Sequence, residues 1–279
     1  MFKILKKEYL NPNVIKIIVD APRIAKKAKA GQFVILRVNE NGERTPLTIA
    51  DYYDNTITLI YQVVGTTTKL LAELNEGDYI LDLVGPLGKA SDLDNIKKVC
   101  VVGGGVGCAI AYPTAKALYN NGCDVTVISG FRNKDLVILE DEFKAVSNRY
   151  YLVSDDGSAG QKGLVTNVLK ELLEKETFDE VIAIGPLVMM KFVSLVTKEY
   201  NVKTVVSMNP IMIDGTGMCG GCRLTVGNET KFACVDGPDF DAHLVDFDEA
   251  ISRSSMYHER GKNCNLLEVK KWLTTVLKK

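Results

Sequence analysis

No run of about 18 consecutive apolar residues occurs in this 279-residue sequence, so no segment has the length of a bilayer-spanning helix. The opening MFKILKKEYLNPN holds too short an apolar stretch for a secretory leader. Neither sign of charge is in excess: 34 Lys and Arg stand against 35 Asp and Glu, for a net charge of -1. That balance excludes the basic footprint of a nucleic-acid binder and the polybasic patch of a membrane-surface protein. The seven cysteines are odd in number, which argues against a disulfide framework. Internal repeats and low-complexity segments are lacking as well. These absences set the expectation of a soluble, cytoplasmic protein with no nucleic-acid partner and no membrane span.

What is present is ordinary globular material, with 46% hydrophobic and 25% charged residues. The length suits two compact domains and a small appendage. Cys100, Cys108, Cys123 and Cys264 are scattered, whereas Cys219, Cys222 and Cys234 crowd together. In a reducing compartment such a cluster points to metal binding or catalysis.

The chain changes texture along its length. Residues 1–95 contain the short runs VIKIIVDAP (14–22), QFVILRV (32–38), TITLIYQVV (56–64) and DYILDLVGP (78–86), separated by turn residues. Strands at this spacing predict a small antiparallel β-barrel, interrupted by a Thr-capped helix over 67–74. Residues 96–210 alternate apolar strands with helical segments. The strands are VCVVGGG, DVTVISG, YYLVS, DEVIAIGP and KTVVSMNP; the helices include CAIAYPTAKALYNNG, DLVILEDEFKAV, LVTNVLKELLEK and VMMKFVSLVTKEY. That alternation predicts an α/β domain with a doubly wound parallel sheet. Residues 211–250 are rich in Gly, Cys and Asp, and 251–279 form a tail whose segment 265–278 has amphipathic-helix spacing.

Three groups of residues carry candidate chemistry. Gly103, Gly104, Gly105, Val106 and Gly107 follow a strand and open a helix, where a glycine turn and free N–H groups cradle a dinucleotide phosphate. The spacing departs from G-x-G-x-x-G, and the second strand runs into Arg132 rather than an acidic residue. Arg132 suits a 2′-phosphate or a solvated surface equally. The loops at Asp155-Asp156 and Gly185-Pro186 fall at the carboxyl ends of predicted strands, where ligands of open α/β sheets bind, although connecting turns would read the same way.

In the barrel, Arg44 and Thr48 share one strand face if the strand is regular, with Pro46 and Leu47 between them. Gly65-Thr66-Thr67 offers a glycine turn, hydroxyls and a helix start, a second way to hold a pyrophosphate. Gly85-Pro86 and Gly88 mark a tight turn at the join of the two domains.

The third group is the sharpest. Asp214, Cys219, Cys222 and Cys234 match the plant-type [2Fe–2S] spacing C-x₄-C-x₂-C…C, with Asp in place of the first Cys. A three-Cys, one-Asp zinc site is the rival, but zinc does not need the glycines at 215, 217, 220 and 221. Asp236 or an exogenous group is an alternative fourth ligand.

The order R-x-P-L-T, G-x-T, G-P-L-G and then G-G-G-x-G resembles the ferredoxin–NADP reductase superfamily over residues 1–210. The resemblance implies FAD on the barrel, NAD(H) or NADP(H) on the second domain, and direct hydride exchange between them, so no catalytic side chain is nominated. One departure is that the superfamily's Arg would stand at position 45, where this chain has Thr45 and carries Arg44 instead. With the cluster segment included, the chain resembles the electron-transfer subunits of dihydroorotate dehydrogenase. The stretches PLTIAD (46–51), SDDGS (154–158), NPIM (209–212) and DGTGMC (214–219) are similar to the small subunits of NADH-dependent reduced ferredoxin:NADP oxidoreductases, also described as sulfide dehydrogenases, over residues to about 250. In that family Asp at the first ligand position is characteristic. The resemblance implies a heterodimer with a large iron–sulfur flavoprotein, ferredoxin or another redox acceptor reached through the complex, and electron bifurcation. The electron-transfer subunit of dihydroorotate dehydrogenase is the alternative, and a redox sensor without turnover is a third.

Overall fold

A computed structural model describes residues 1–256; the predicted tail helix over 265–278 and Cys264 lie outside the described residues. The first strands, β1 (Phe2–Asn11) and β2 (Val14–Asp20), precede a single helical turn, α1 (Pro22–Ala25). Then come β3 (Phe33–Arg37), β4 (Thr45–Tyr53), β5 (Thr56–Gln62), helix α2 (Thr66–Glu73), β6 (Tyr79–Ile80) and β7 (Asp82–Leu87). They form one antiparallel sheet in the order β6-β1-β2-β5-β4-β3-β7, curled into a nearly closed barrel. Alternation decides which side chains enter it. Ile15, Ile17 and Val19 of β2, Val34 and Leu36 of β3, Ile49 of β4, and Ile57, Leu59 and Tyr61 of β5 fill the interior. Two readings are corrected here. β1 is absent from the predicted strands, because register shifts at Ile4/Lys6 and Tyr9/Asn11 break its alternation. Helix α2 starts at Thr66 on Gly65, and Thr68 Oγ1 accepts from the Gly65 and Val64 amides at 3.0 Å, so no Thr occupies the cap position itself.

The second half is α/β. Its elements run β8 (Lys98–Gly104), α3 (Gly107–Asn120), β9 (Asp124–Phe131), α4 (Glu140–Ala145), β10 (Arg149–Ser154), β11 (Gln161–Lys162), α5 (Val165–Leu173), β12 (Glu180–Ile184), α6 (Leu187–Glu199) and β13 (Thr204–Ser207). All six strands are parallel, in the order β11-β10-β9-β8-β12-β13. The helix predicted over 135–146 is shorter than its apolar pattern suggests. A 3₁₀ turn at Lys134–Leu136 is followed by Leu139 at φ 58°, and only Glu140–Ala145 is α-helical. Ile138, Leu139 and Phe143 are apolar because they are buried against α3, not because they share one long helix.

The cluster segment supplies the hairpin β14 (Arg223–Val226) and β15 (Glu229–Phe232), the strand β16 (Asp239–Asp241) and helix α7 (Phe247–Ser254). β16 pairs antiparallel with β13 and extends the parallel sheet to seven strands. The barrel does not stand apart from this sheet. Val14, Ala50 and Ile60 point out of the barrel into the core under α3, while Phe33 and Ile35 join the core shared by β12, α5, α6 and the cluster segment.

Phe143 is fully buried, edge-on to Tyr112 at 5.7 Å and stacked near Tyr150 at 6.3 Å. Phe143→Ala leaves a cavity there and is expected to cost about 3–5 kcal/mol. Chemical denaturation followed by circular dichroism should show a lowered midpoint; an unchanged midpoint would refute this placement.

Candidate cofactor and cluster sites

The 103–107 turn stands where the sequence places it. β8 ends at Gly104, and α3 starts at Gly107 with no side-chain cap. Gly107 is dictated by contact, since a Cβ there would come 2.5 Å from the Ile184 carbonyl oxygen. Gly104 likewise lies against Pro186 and Met189, and Gly185 against Gly104, so the turn and the 185–186 loop form one rim. Gly105 differs: its φ is +56°, and a Cβ on it would meet nothing within 4 Å, leaving open space over the helix start. The Gly105 amide itself donates to the Gly130 carbonyl at 2.8 Å. Asp155 and Asp156 donate their amides to the Phe131 and Arg132 carbonyls, at 3.0 and 3.3 Å. Ser158 Oγ accepts from the Lys134 amide at 2.8 Å. The four loops thus gather along the carboxyl edge of the sheet. The Asp156 carboxylate accepts from the Ser158 hydroxyl and amide, which hold it below the usual carboxylate range.

On the barrel, Pro46 and Thr48 face outward beside Ile35 and Phe33, while Leu47 turns toward the interior. Gly65 has extended backbone, and a Cβ there would meet nothing within 4 Å. Next to it Thr67 Oγ1 is buried without a hydrogen-bond partner among the described residues. An open helix start beside an unsatisfied hydroxyl fits a bound pyrophosphate. Gly85 and Gly88 have a packing role. A Cβ on Gly85 would lie 2.7 Å from Val34 Cγ1, and one on Gly88 2.8 Å from Phe33 Cε1 and 3.1 Å from Pro238. Pro86 sits between them on β7. Arg44 is corrected. β4 begins at Thr45, so Arg44 lies outside the strand, and its Nε donates to the Ile213 carbonyl at 2.9 Å. It ties the barrel to the cluster segment, a partnership 169 residues apart that no local spacing signals.

The cluster segment sets its four positions in two close pairs, and among the described residues no three of them converge on one point. Cys222 and Cys234 are buried with sulfurs 3.2 Å apart, and the Cys234 amide points at the Cys222 sulfur at 3.5 Å. Burial and then the neighbouring Cys222 push the Cys234 thiol up to about 12, so metal binding there has to displace its proton. Cys219 is exposed, and its amide donates to Asp214 Oδ2 at 2.6 Å, with the Thr216 amide on Oδ1 at 2.8 Å. The Thr216 amide first, and the Cys219 amide with it, hold the Asp214 carboxyl below its ordinary range. Asp236 Oδ2 accepts from the Phe232 amide at 2.8 Å. Gly215 lets the loop lie on the barrel: a Cβ there would come 2.7 Å from both Ile35 Cδ1 and Leu87 Cδ1.

Residues 209–246 match the iron-sulfur cluster binding domain of dihydroorotate dehydrogenase B, and residues 101–195 match the oxidoreductase NAD-binding domain. The chain is 48% identical to a Thermotoga maritima homologue of the dihydroorotate dehydrogenase B (NAD(+)) electron transfer subunit, over 93% of each. It is 35% identical to the electron transfer subunit of that enzyme from Streptococcus pneumoniae serotype 4, over 87% of this chain and 99% of the relative. Among solved structures, a chain of the NADH-dependent reduced ferredoxin-NADP oxidoreductase, studied for flavin-based electron bifurcation, superimposes with a TM-score of 0.91. It is 45% identical and the match covers 98% of both chains. Fold and site together define an oxidoreductase electron-transfer subunit that uses FAD, NAD(H) and a [2Fe–2S] cluster. The chain belongs to the family of dihydroorotate dehydrogenase B electron transfer subunits and their homologues.

Because Gly65 has room and ordinary backbone angles, Gly65→Val should leave the fold intact and fill only the space where a pyrophosphate would lie. Purified variant protein is expected to show wild-type circular dichroism with its flavin absorbance lost. Full flavin content would move the flavin site away from Gly65.

Proposed function

We propose that this chain passes electrons between NAD(H), FAD and a [2Fe–2S] cluster to a large iron–sulfur flavoprotein partner, in a bifurcating complex of the ferredoxin:NADP oxidoreductase type. When bound, the flavin accepts two electrons as a hydride and releases them singly, and the cluster carries one at a time. The observation that carries this reading is the seating of the cluster loop on the flavin strands. Arg44 holds Ile213, and Gly215 rests on Ile35 and Leu87, so the path from barrel to cluster does not cross the nucleotide domain.

The residue assignments belong to the same proposal. Pro46, Leu47, Thr48, Gly65, Thr66 and Thr67 serve the flavin, with Arg44 acting through the cluster segment. Gly103 to Gly107, Arg132, Asp155, Asp156, Gly185 and Pro186 serve the dinucleotide. Asp214 and Cys219 hold one iron, and Cys222 and Cys234 the other. Two donor pairs suit a dinuclear cluster, with two protein ligands per iron, better than one tetrahedral zinc ion. The division into 1–95, 96–210, 211–250 and 251–279 follows these roles. Among the described residues no helix is long and apolar enough to cross a membrane, and a cytoplasmic location accords with a nicotinamide-linked complex.

The alternative, delivery to a dihydroorotate dehydrogenase catalytic subunit, draws on the names of the relatives. The partner decides. Ile211, Ile213, Met218 and Val235 are exposed apolar side chains around Cys219. Affinity purification from native cells is expected to bring down a large iron–sulfur flavoprotein, and Ile213→Asp with Met218→Asp to lose it while retaining the cluster. Recovery of a dihydroorotate-oxidising subunit instead would favour the alternative. A fully active monomer would sink both.

Asp214 offers the second test. A carboxylate is a harder donor than a thiolate. Asp214→Cys is expected to assemble a [2Fe–2S] cluster with a shifted visible spectrum and reduction potential, and Asp214→Ala a labile one. If Asp214→Cys leaves both properties as they were, Asp214 is not a ligand and Asp236 becomes the candidate.

A further inference from the structure

Asp51, the last residue of the PLTIAD stretch, stands between the flavin strand and the nucleotide helix. Strict alternation would turn it into the barrel beside Ile49, which is fully buried. A register shift prevents this. Ile49 pairs with Leu59, Asp51 with Thr58, and Tyr52 with Ile57, so Ala50 and Asp51 both face outward and Tyr52 returns to the barrel core. A bulge of this kind re-aims a side chain, and here the new target is α3. Lys116 Nζ donates to Asp51 Oδ1 and Oδ2 at 2.9 and 2.7 Å. The Tyr52 amide also donates to Oδ1 at 2.9 Å, which fixes the carboxylate, and the ammonium lies 5.8 Å from the Tyr112 ring. Partial burial alone would lower the Lys116 ammonium, but the Asp51 hydrogen bond and charge outweigh it, so Lys116 stays protonated across the neutral range.

Both side chains are about one third exposed, and pairs in such settings add little to stability. Their position is more telling. Asp51 lies on the outward face of β4 with Pro46 and Thr48. Lys116 lies nine residues beyond Gly107 on α3, about 14 Å along the helix whose start faces the dinucleotide. The pair therefore joins the element that carries the flavin residues to the element that carries the nucleotide turn. Sliding one past the other would shift the two ring systems, and misplacement of reacting atoms by about 1 Å costs about 100-fold in rate.

We propose that Asp51 and Lys116 are positioning residues: their bridge sets the alignment of nicotinamide against flavin. The inference rests on the flavin and dinucleotide assignments above. With both cofactors bound, the step aligned would be hydride transfer: the C4–H bond of NADH would break to give NAD⁺, and the hydride with both electrons would form the N5–H bond of the flavin, converting it from the oxidised to the anionic reduced form.

The test uses the holoprotein under anaerobic conditions. Wild type is compared with Asp51→Asn, with Lys116→Met, and with the charge swap Asp51→Lys plus Lys116→Asp. NADH-driven flavin bleaching is followed by stopped flow. The long-wavelength charge-transfer absorbance is recorded after NAD⁺ is added to dithionite-reduced protein. The single variants are expected to keep their flavin and to half-saturate with NADH within about twofold of wild type, yet to bleach about tenfold more slowly or worse. Their charge-transfer band should be weakened, and the swap should regain most of the lost rate. If Lys116→Met loses its flavin, Lys116→Gln carries the same expectation. Single variants that bleach at the wild-type rate with an undiminished band would overturn the proposal, as would a swap no faster than either single change. Wild-type flavin that NADH fails to bleach would instead overturn the functional reading, and the proposal with it.

Discussion

Phe33 and Ile35 point out of the barrel into the core beneath α5, α6 and the cluster segment, and Ala50 and Ile60 point out of it into the core beneath α3. The barrel wall therefore supplies side chains to both faces of the α/β sheet. This continuity governs the rest of the molecule. It brings the outward face of β4, with Pro46 and Thr48, close to α3, an approach whose register the Asp51–Lys116 bridge then sets. It also gives the cluster loop a firm seat. Gly215 has to be glycine because Ile35 and Leu87 already occupy the space a side chain would need.

The electrostatics of the cluster loop follow from what its two halves touch. Cys222 and Cys234 are enclosed by apolar neighbours, and that burial disfavours the Cys234 thiolate. Asp214 and Cys219 sit at the surface, where backbone amides turn toward the carboxylate and keep it ionised. The segment thus offers an enclosed sulfur pair and an open pair whose carboxylate is ionised.

Much of this was legible in the sequence. Buried parallel strands are apolar along their whole length, so VCVVGG and EVIAI announce themselves, and a glycine turn between strand and helix marks the nucleotide edge. The cluster-binding character of the Gly- and Cys-rich segment is likewise local to the chain, and the family match over 209–246 falls on it. What failed depended on long-range packing. β1 is disguised by its two bulges, and Val137, Ile138 and Leu139 are apolar through contacts with α3 rather than through helical periodicity. Arg44 finds its partner 169 residues away, and Asp51 faces α3 only because of a bulge that the side-chain pattern does not encode.

β16 closes the α/β sheet by pairing with β13, and it lies only five residues beyond Cys234. An open sheet edge is a template for pairing with other chains, and β16 is what covers this one. Because that cover is carried by the cluster segment, a chain that has not organised residues 209–246 leaves β13 bare. Cluster binding and protection against edge-to-edge pairing are thus served by the same stretch of chain.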